Sequence, residues 1–477
     1  MKQLAIIFLF TISACHSDGP VKSVADLQDP DTCMECHPKH YDDWSMSMHA
    51  YASDDPVFVA MNKRGQRDTQ NQLGTFCVQC HAPMAVALGT TNGVDFDPAA
   101  LPKSQKGVTC YFCHNVASIA DTHNNGLQIA LDQTMRGEIA NPAGNTAHHS
   151  KYDVLLDGTR NDSSMCGSCH DVTTTSNVHL ERTFQEWGTT IFASADPTIH
   201  LGCNSACHMQ PNSDVVADDP DANVPFRTNG RHTHTFAGVD LAMTPFPMQD
   251  QLTLQNQAIL DASISLVGPK PRASNVPPGG ICVPPGSQFT IRLDNLSVGH
   301  MFPSGAGQDR RAWLEVKAFD AGGTLVFSNG VVPDGMDPPD RPLNLAPPLG
   351  PPSKFSAFFW DQTYTDAAKT QRALFFWDVL AEDTNLLRPA TTLDPNDPAF
   401  DHSTMSQFDL VGGTAQIDRV EARVLMRPFA FDTLDALIAS GDLDASIRAK
   451  VPTWQLAGTT KTWTRATADP ISFCNPF

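Results

Sequence analysis

The sequence predicts an α+β chain. A mostly helical and loop-built N-terminal part is followed by an antiparallel β-sandwich-like part. Three observations carry that expectation. Ten of the thirteen cysteines fall in five pairs between residues 33 and 208, each pair ending in Cys-His, which leaves little room for regular sheets. Beyond roughly residue 250 apolar and polar residues alternate with period two, broken by Pro and Gly turns. The 477 residues, 41 % apolar and 18 % charged, suit a folded soluble protein long enough for two or three cores.

The chain opens MKQLAIIFLFTISAC. Lys2 is a short positive segment, and residues 4–12 form an apolar stretch too short to span a bilayer as a mature helix. Ile12-Ser13-Ala14-Cys15 resembles the bacterial lipoprotein cleavage box, so residues 1–15 read as a signal peptide ending at a lipidated Cys15. An ordinary secretory signal with a chance cysteine is the alternative. His16, standing where an aspartate would favour inner-membrane retention, points to the outer membrane. The expectation is an exported periplasmic or outer-membrane lipoprotein, held at the membrane by lipid alone. A formal net charge of −20 argues against a nucleic-acid partner and suits either a basic redox partner or simple solubility.

Four pairs read Cys33-Met-Glu-Cys36-His37, Cys77-Val-Gln-Cys80-His81, Cys110-Tyr-Phe-Cys113-His114 and Cys166-Gly-Ser-Cys169-His170. C-x-x-C-H is the attachment signature of haem c: two thiols add to the porphyrin vinyl groups and the next histidine becomes the proximal iron ligand. Zinc sites would need two such pairs each and would not explain a histidine after every one. A thioredoxin-like dithiol needs a βαβ setting and would not recur four times. The fifth pair, Cys203-Asn-Ser-Ala-Cys207-His208, has an extra residue between its thiols. It reads as a fifth haem site, with a degenerate site or a plain disulfide as alternatives. Five haems so close in sequence must form much of the interior of a pentahaem domain over residues 16–250.

Seventeen histidines less five proximal ones leaves twelve for the far sides of the irons. A second imidazole makes a six-coordinate electron carrier, and its absence leaves a position where a substrate can bind. The distal candidates are His49 in Ser-Met-His-Ala, the adjacent His148 and His149, His179, His234 (preferred over His232) and His300 in Gly-His-Met-Phe-Pro-Ser-Gly. His16, His40, His123, His200 and His402 read as surface or structural residues. Met84 and Met209, just after haem motifs, read as packing residues.

The haem segment resembles the cytochrome c-554 family, which extends to hydroxylamine oxidoreductase. The resemblance rests on C-x-x-C-H followed by Tyr41, Trp44 and Ser47-Met48-His49-Ala50, on Gly107-Val108-Thr109-Cys110, on Cys166-Gly-Ser-Cys169-His170, and on Glu186-Trp187. It covers roughly residues 30–240 and implies haem-based electron transfer between redox partners. Residues 285–310 resemble the β-rich tails of exported multihaem cytochromes, where the resemblance implies that the histidine, here His300, reaches back to a haem. Cytochrome c-554 itself has four haems and no such tail. No C-x-x-C-K occurs, so the lysine-ligated haem of multihaem nitrite reductases is missing.

Residues 251–477 read as the β-sandwich-like domain. Ser263 to Leu266 alternates, as do Phe289, Ile291 and Leu293. Trp313 to Phe319 reads as a strand, Asp320-Ala-Gly-Gly323 as a hairpin turn and Thr324 to Phe327 as its partner. Val420, Ala422, Val424 and Met426 form one face of another strand. Residues 331–353 hold eight prolines and read as an extended surface loop; residues 432–450 read as a helical insertion. Cys282 and Cys474 read as a disulfide closing the domain. Asp309-Arg310-Arg311 reads as structural ion pairing rather than an anion fork.

The leading function is a multihaem cytochrome that passes electrons along closely packed haems, with no substrate chemistry of its own. The alternative is an oxidoreductase acting on a small nitrogen or sulfur compound at one five-coordinate haem, at the second or fifth motif. A third reading, subunit of a cytochrome filament, fits poorly with a lipid tether.

Overall fold

The computed structural model describes residues 21–139, 151–154, 163–219, 223–272, 288–338, 354–361, 372–409 and 417–467. The signal segment with Cys15, the histidines 148 and 149, and the proposed Cys282–Cys474 bridge lie outside the described residues.

Helices in the N-terminal half are short because caps recur every few residues. Ser23 forms a capping box on Val24–Gln28, Asp29 caps Pro30–Met34 and Asp55 caps Pro56–Asp68. Proline occupies the first helical position of Pro30–Met34, Pro38–Met46, Pro56–Asp68 and Pro83–Ala87, where its missing N–H costs nothing. Between the helices run four two-stranded ladders that the helix-and-loop expectation did not include. They pair Val116–Ile119 with Leu127–Ile129, Thr134–Gly137 with Lys151–Val154, Val172–Thr173 with His179–Glu181, and Pro211–Asp214 with Arg227–His232. Strands this short carry no period-two signal.

Among the described residues the second half holds a separate two-stranded ladder, Ala357–Trp360 with Ala381–Thr384, and two facing sheets. One runs Leu325–Asn329, Arg311–Asp320, Ile417–Arg427, Trp454–Thr464, with Lys354–Phe355 added to the second strand. The other runs Ser403–Asp409, Gln288–Asp294, Ser265–Arg272. Leu266, Phe289, Ile291, Leu293 and Phe408 from the smaller sheet pack against Leu314, Val316, Val420, Val424 and Leu456 from the larger. The expected alternation holds along Ile417–Arg427. Arg311–Asp320, the strand between Leu325–Asn329 and Ile417–Arg427, is buried on both faces over most of its length. The turn after it is fixed by the Asp320 carboxylate, which accepts the N–H of Gly322 and of Thr324 at 2.9 and 2.8 Å.

The helical insertion is present as Phe431–Ala439 and a 3₁₀ turn at Ala445–Lys450. Its apolar face does not sit on the sandwich. Leu434, Leu437, Leu443 and Ile447 pack instead with Val57, Ala60 and Met243 from the N-terminal half. As far as residue 338 the proline-rich segment runs as a mostly exposed loop that is tied down at Asp337. Asp337 accepts the N–H groups of Phe431 and Asp432 at 2.7 and 3.1 Å, and Arg427 at 2.9 Å, capping that helix. The expected boundary at 250/251 falls in the first turn of the helix Gln249–Asp261. Among the described residues no helix is long and apolar enough to cross a membrane.

Candidate haem-binding site

Each cysteine motif is wound into a helical turn that aims its thiols and imidazole to one side. In the first, second and fourth motifs the histidine N–H bonds the carbonyl of the first cysteine four residues back: His37 to Cys33 at 2.8 Å, His81 to Cys77 at 3.2 Å, His170 to Cys166 at 2.9 Å. The third lies in the helix Cys110–His114, capped by the Thr109 hydroxyl. The fifth keeps the same bond despite its extra residue. His208 N–H reaches Cys203 O at 3.3 Å across five residues, so Cys203–Cys207 is a π turn. An inserted residue is thus absorbed in the backbone and the spacing of anchor to histidine is preserved.

All ten motif cysteines and all five motif histidines line one cavity of about 1350 Å³, larger than the roughly 300–1,000 Å³ of an ordinary small-molecule pocket. Thiols of different motifs touch there: Cys33 hydrogen-bonds Cys110, and Cys80 hydrogen-bonds Cys169. His49, His234 and His300 enter the same cavity. Two imidazoles sharing one metal along an axis, each nitrogen about 2 Å away, place their ring centroids roughly 6 Å apart. Three pairs bring segments far apart in the chain to that separation. His114 faces His234 at 6.2 Å with planes 21° apart, His208 faces His300 at 6.4 Å and 16°, and His170 faces His49 at 6.1 Å and 47°. His37 has the ring of His40 at 5.8 Å, edge-on with planes 75° apart, while for His81 no imidazole stands at that separation among the described residues. Phe58 stacks flat on His81 at 4.0 Å and 5°.

His40, read from sequence as a surface or structural residue, lines the cavity instead, its ring edge-on to His234 at 4.9 Å. It was missed because one turn beyond His37 on a polar helix it resembles any exposed histidine; no local signal marks it. His179 is not brought to the cavity. It is held by Glu382, which accepts its backbone N–H at 2.8 Å and contacts its Nδ1 at 3.1 Å. His232 lines the cavity with its Nδ1 against the carbonyls of Asn204 and Met209. Met84 is fully buried against Tyr111 and Phe112, as a packing residue should be, while Met209 lines the cavity. His123 pairs with Asp121 at 2.6 Å, His200 bonds the Ser194 carbonyl, and His402 lies buried beside Asp294.

Ligation requires neutral imidazoles with a fixed tautomer. Burial lowers the pKa of His37, His81 and His114, and brings His208 down to about 4; it takes His49 and His234 to about 3. Nδ1 of His37, His81, His114 and His208 meets a backbone carbonyl, of Val216, Ala52, Arg136 and Ala237, at 2.8, 3.1, 2.5 and 2.8 Å. That leaves Nε2 free to face the cavity. His170 differs. Burial alone would lower it, but Glu181 Oε1 at 2.9 Å from Nδ1 pushes it up to about 9.

The motifs around the ligands have mechanical roles. Ser47 caps the turn Met48–Tyr51 that carries His49. Gly107, at φ +60°, passes so close to the carbonyls of His49 and Ala50 that a Cβ has no room, and Val108 N–H bonds His49 O at 2.8 Å. Trp44 Nε1 donates to Val108 O at 2.8 Å. His300 is presented by a clamped loop. The Asn295 side chain donates to His300 O at 2.9 Å, while Glu186 accepts from Met301 N–H and Ser304 Oγ at 3.1 and 2.6 Å. Arg310, just beyond, makes a two-pronged bond to Asp240 at 2.6 and 2.8 Å, and Arg311 pairs with Asp432. The pairing reading of Asp-Arg-Arg holds.

Cysteine pairs next to a histidine, opposed imidazoles at one-metal spacing and an apolar lining fit haem c. Residues 32–115, spanning the first three motifs, match the family Cytochrome c554 and c-prime. The fold is similar to that of the penta-heme cytochrome c552 from Thermochromatium tepidum in its crystal structure. The TM-score is 0.56 and the identity 16 %, over 93 % of this chain and 100 % of that one. No curated protein matches the chain in sequence. The first three motifs thus resemble those of a c-type cytochrome family, and the fold, with its β-rich C-terminal part, is similar to that of a penta-heme cytochrome.

Proposed function

We propose that the chain carries five haems and relays electrons among redox partners as an exported periplasmic or outer-membrane lipoprotein anchored through Cys15. The observation that carries this reading is the convergence of ten motif cysteines and five motif histidines on one cavity, with a second imidazole facing three of them. Haem iron supplies a one-electron couple when bound. The chain's own groups do the rest. Cys33 and Cys36, Cys77 and Cys80, Cys110 and Cys113, Cys166 and Cys169, and Cys203 and Cys207 would anchor the rings, Cys36 after release from the disulfide it forms here. His37, His81, His114, His170 and His208 would be the proximal iron ligands, and His49, His234 and His300 would supply second imidazoles. The thiol contacts Cys33–Cys110 and Cys80–Cys169 support edge-to-edge packing of the first haem with the third and of the second with the fourth. The pentahaem domain and the sandwich are proposed to divide near residue 250.

A second reading, an oxidoreductase with one open haem, is favoured by the second motif. No second imidazole stands at one-metal spacing from His81 among the described residues, and Asp55, whose buried carboxyl is pushed up to about 7, lines the same cavity as a proton donor. Haem quantification with low-temperature EPR on the oxidised protein separates the two. Five haems with low-spin signals alone support the relay. A high-spin ferric signal that shifts with nitrite, hydroxylamine or sulfite supports the open site.

A further inference from the structure

Four of the five motif histidines bond a neutral backbone carbonyl through Nδ1, and the fifth bonds a carboxylate. We propose that Glu181 is a positioning residue that gives the haem of Cys166, Cys169 and His170 a lower midpoint potential than a carbonyl partner would. The inference rests on the haem reading above and goes beyond it to the ordering of potentials.

The chemistry is that of an outer hydrogen bond to a metal-bound imidazole. A carboxylate 2.9 Å from Nδ1 draws that proton toward itself and gives the ring imidazolate character. A more basic ring donates more strongly to iron and stabilises the ferric form. An electron reaching this iron would come from a neighbouring haem or from a redox partner. The Nδ1 proton stays shared between His170 and Glu181 throughout, so no further reactant is needed. Backbone carbonyls, being uncharged, exert this pull weakly at the other four sites.

Glu181 is held for that task. It lies on the strand His179–Glu181, paired with Val172–Thr173 immediately after the fourth motif, so the ladder fixes its reach to His170. Thr183 Oγ1 donates to the same Oε1 at 3.3 Å. Arg310, delivered from the sandwich half and locked on Asp240, lies near enough to favour the Glu181 charge. The facing ring of His49 completes the axis at 6.1 Å. The carboxylate at residue 181 is separated from His170 by ten residues, and no motif spacing marks it.

The test is Glu181→Gln in the full haem-loaded protein, with haem quantified and all midpoints followed by spectroelectrochemical and EPR titration. Gln keeps an acceptor oxygen and removes the charge. Five haems in both proteins are expected, with one midpoint moved upward, one low-spin signal changed in its g-values, and the other four midpoints unmoved. Five haems and no moved midpoint would overturn the inference. Loss of the haem at Cys166 and Cys169 in the unmodified protein would overturn the haem reading itself. If the Gln variant does not load haem, Glu181→Asp is read instead: its shorter carboxylate loosens the bond, so the same midpoint rises part of the way, and an unchanged one refutes the role.

Discussion

Replacing His300 by alanine removes the ring that faces His208 at 6.4 Å while leaving every covalent anchor in place. The expected outcome is unchanged haem content, loss of one low-spin EPR signal and a new high-spin ferric signal from the fifth site. If His300 were merely a packing residue, the spectrum would stay low-spin. Gly107 is the other single-residue test. At φ +60° an alanine is strained, and its Cβ meets two carbonyl oxygens that belong to the turn carrying His49. Gly107→Ala is expected to cost about 1–3 kcal/mol, read as a lowered thermal midpoint, with disturbed ligation at the His49–His170 axis. At this scale the motif cysteines and histidines are legible from spacing alone. Which motif histidine each distal candidate faces is not, because the facing ring returns from a segment far along the chain.

At the scale of elements, the helix Thr183–Gly188 and the loop 295–305 act as one device. Glu186 accepts two hydrogen bonds from the loop, and Thr183 Oγ1 lies 2.8 Å from Ser304 Oγ and accepts Gly305 N–H at 3.1 Å. Glu186→Ala leaves a half-buried amide without its acceptor, at a cost of about 1–3 kcal/mol. The expected signature is a partial high-spin population at the fifth haem, less than in His300→Ala, together with a lowered thermal midpoint. The Glu186-Trp187 dipeptide was visible in the sequence as a shared motif; its mechanical reason was not. The π turn at Cys203–Cys207 shows the converse. A departure in spacing that left the fifth site open on paper is reconciled by one changed hydrogen-bond register.

Across the whole molecule the two halves are joined by an apolar cluster and by ion pairs. Arg67, on the helix Pro56–Asp68, grips Asp442, beyond the helix Phe431–Ala439, at 2.8 and 2.6 Å. That pair holds the Asp442 carboxyl down at about 2, below its ordinary 3.8. A depressed carboxylate adds stability above its unfolded pKa and loses it as pH falls toward the folded one. With Arg67 half-exposed, the pair contributes no more than about 1 kcal/mol. Asp442→Asn is therefore expected to lower the unfolding midpoint slightly at neutral pH. The difference from the unmodified chain should shrink between roughly pH 4 and pH 2. A constant difference across that range would assign the loss to something other than the charge.

The sequence by itself pointed to the cofactor class, through five Cys-His motifs, and to the β-rich character of the second half. Those features are written in local spacing: two thiols and an imidazole within one helical turn, and apolar residues at period two. Only the tertiary structure decided which imidazoles oppose one another, that His40 faces inward and His179 does not, and that the helical insertion belongs to the N-terminal core. It also decided that one proximal histidine rests on a carboxylate. The physical reason is the same in each case. An axial partner, an outer hydrogen bond or a shared apolar face is a contact between segments far apart in the chain, and spacing along the chain holds no record of it.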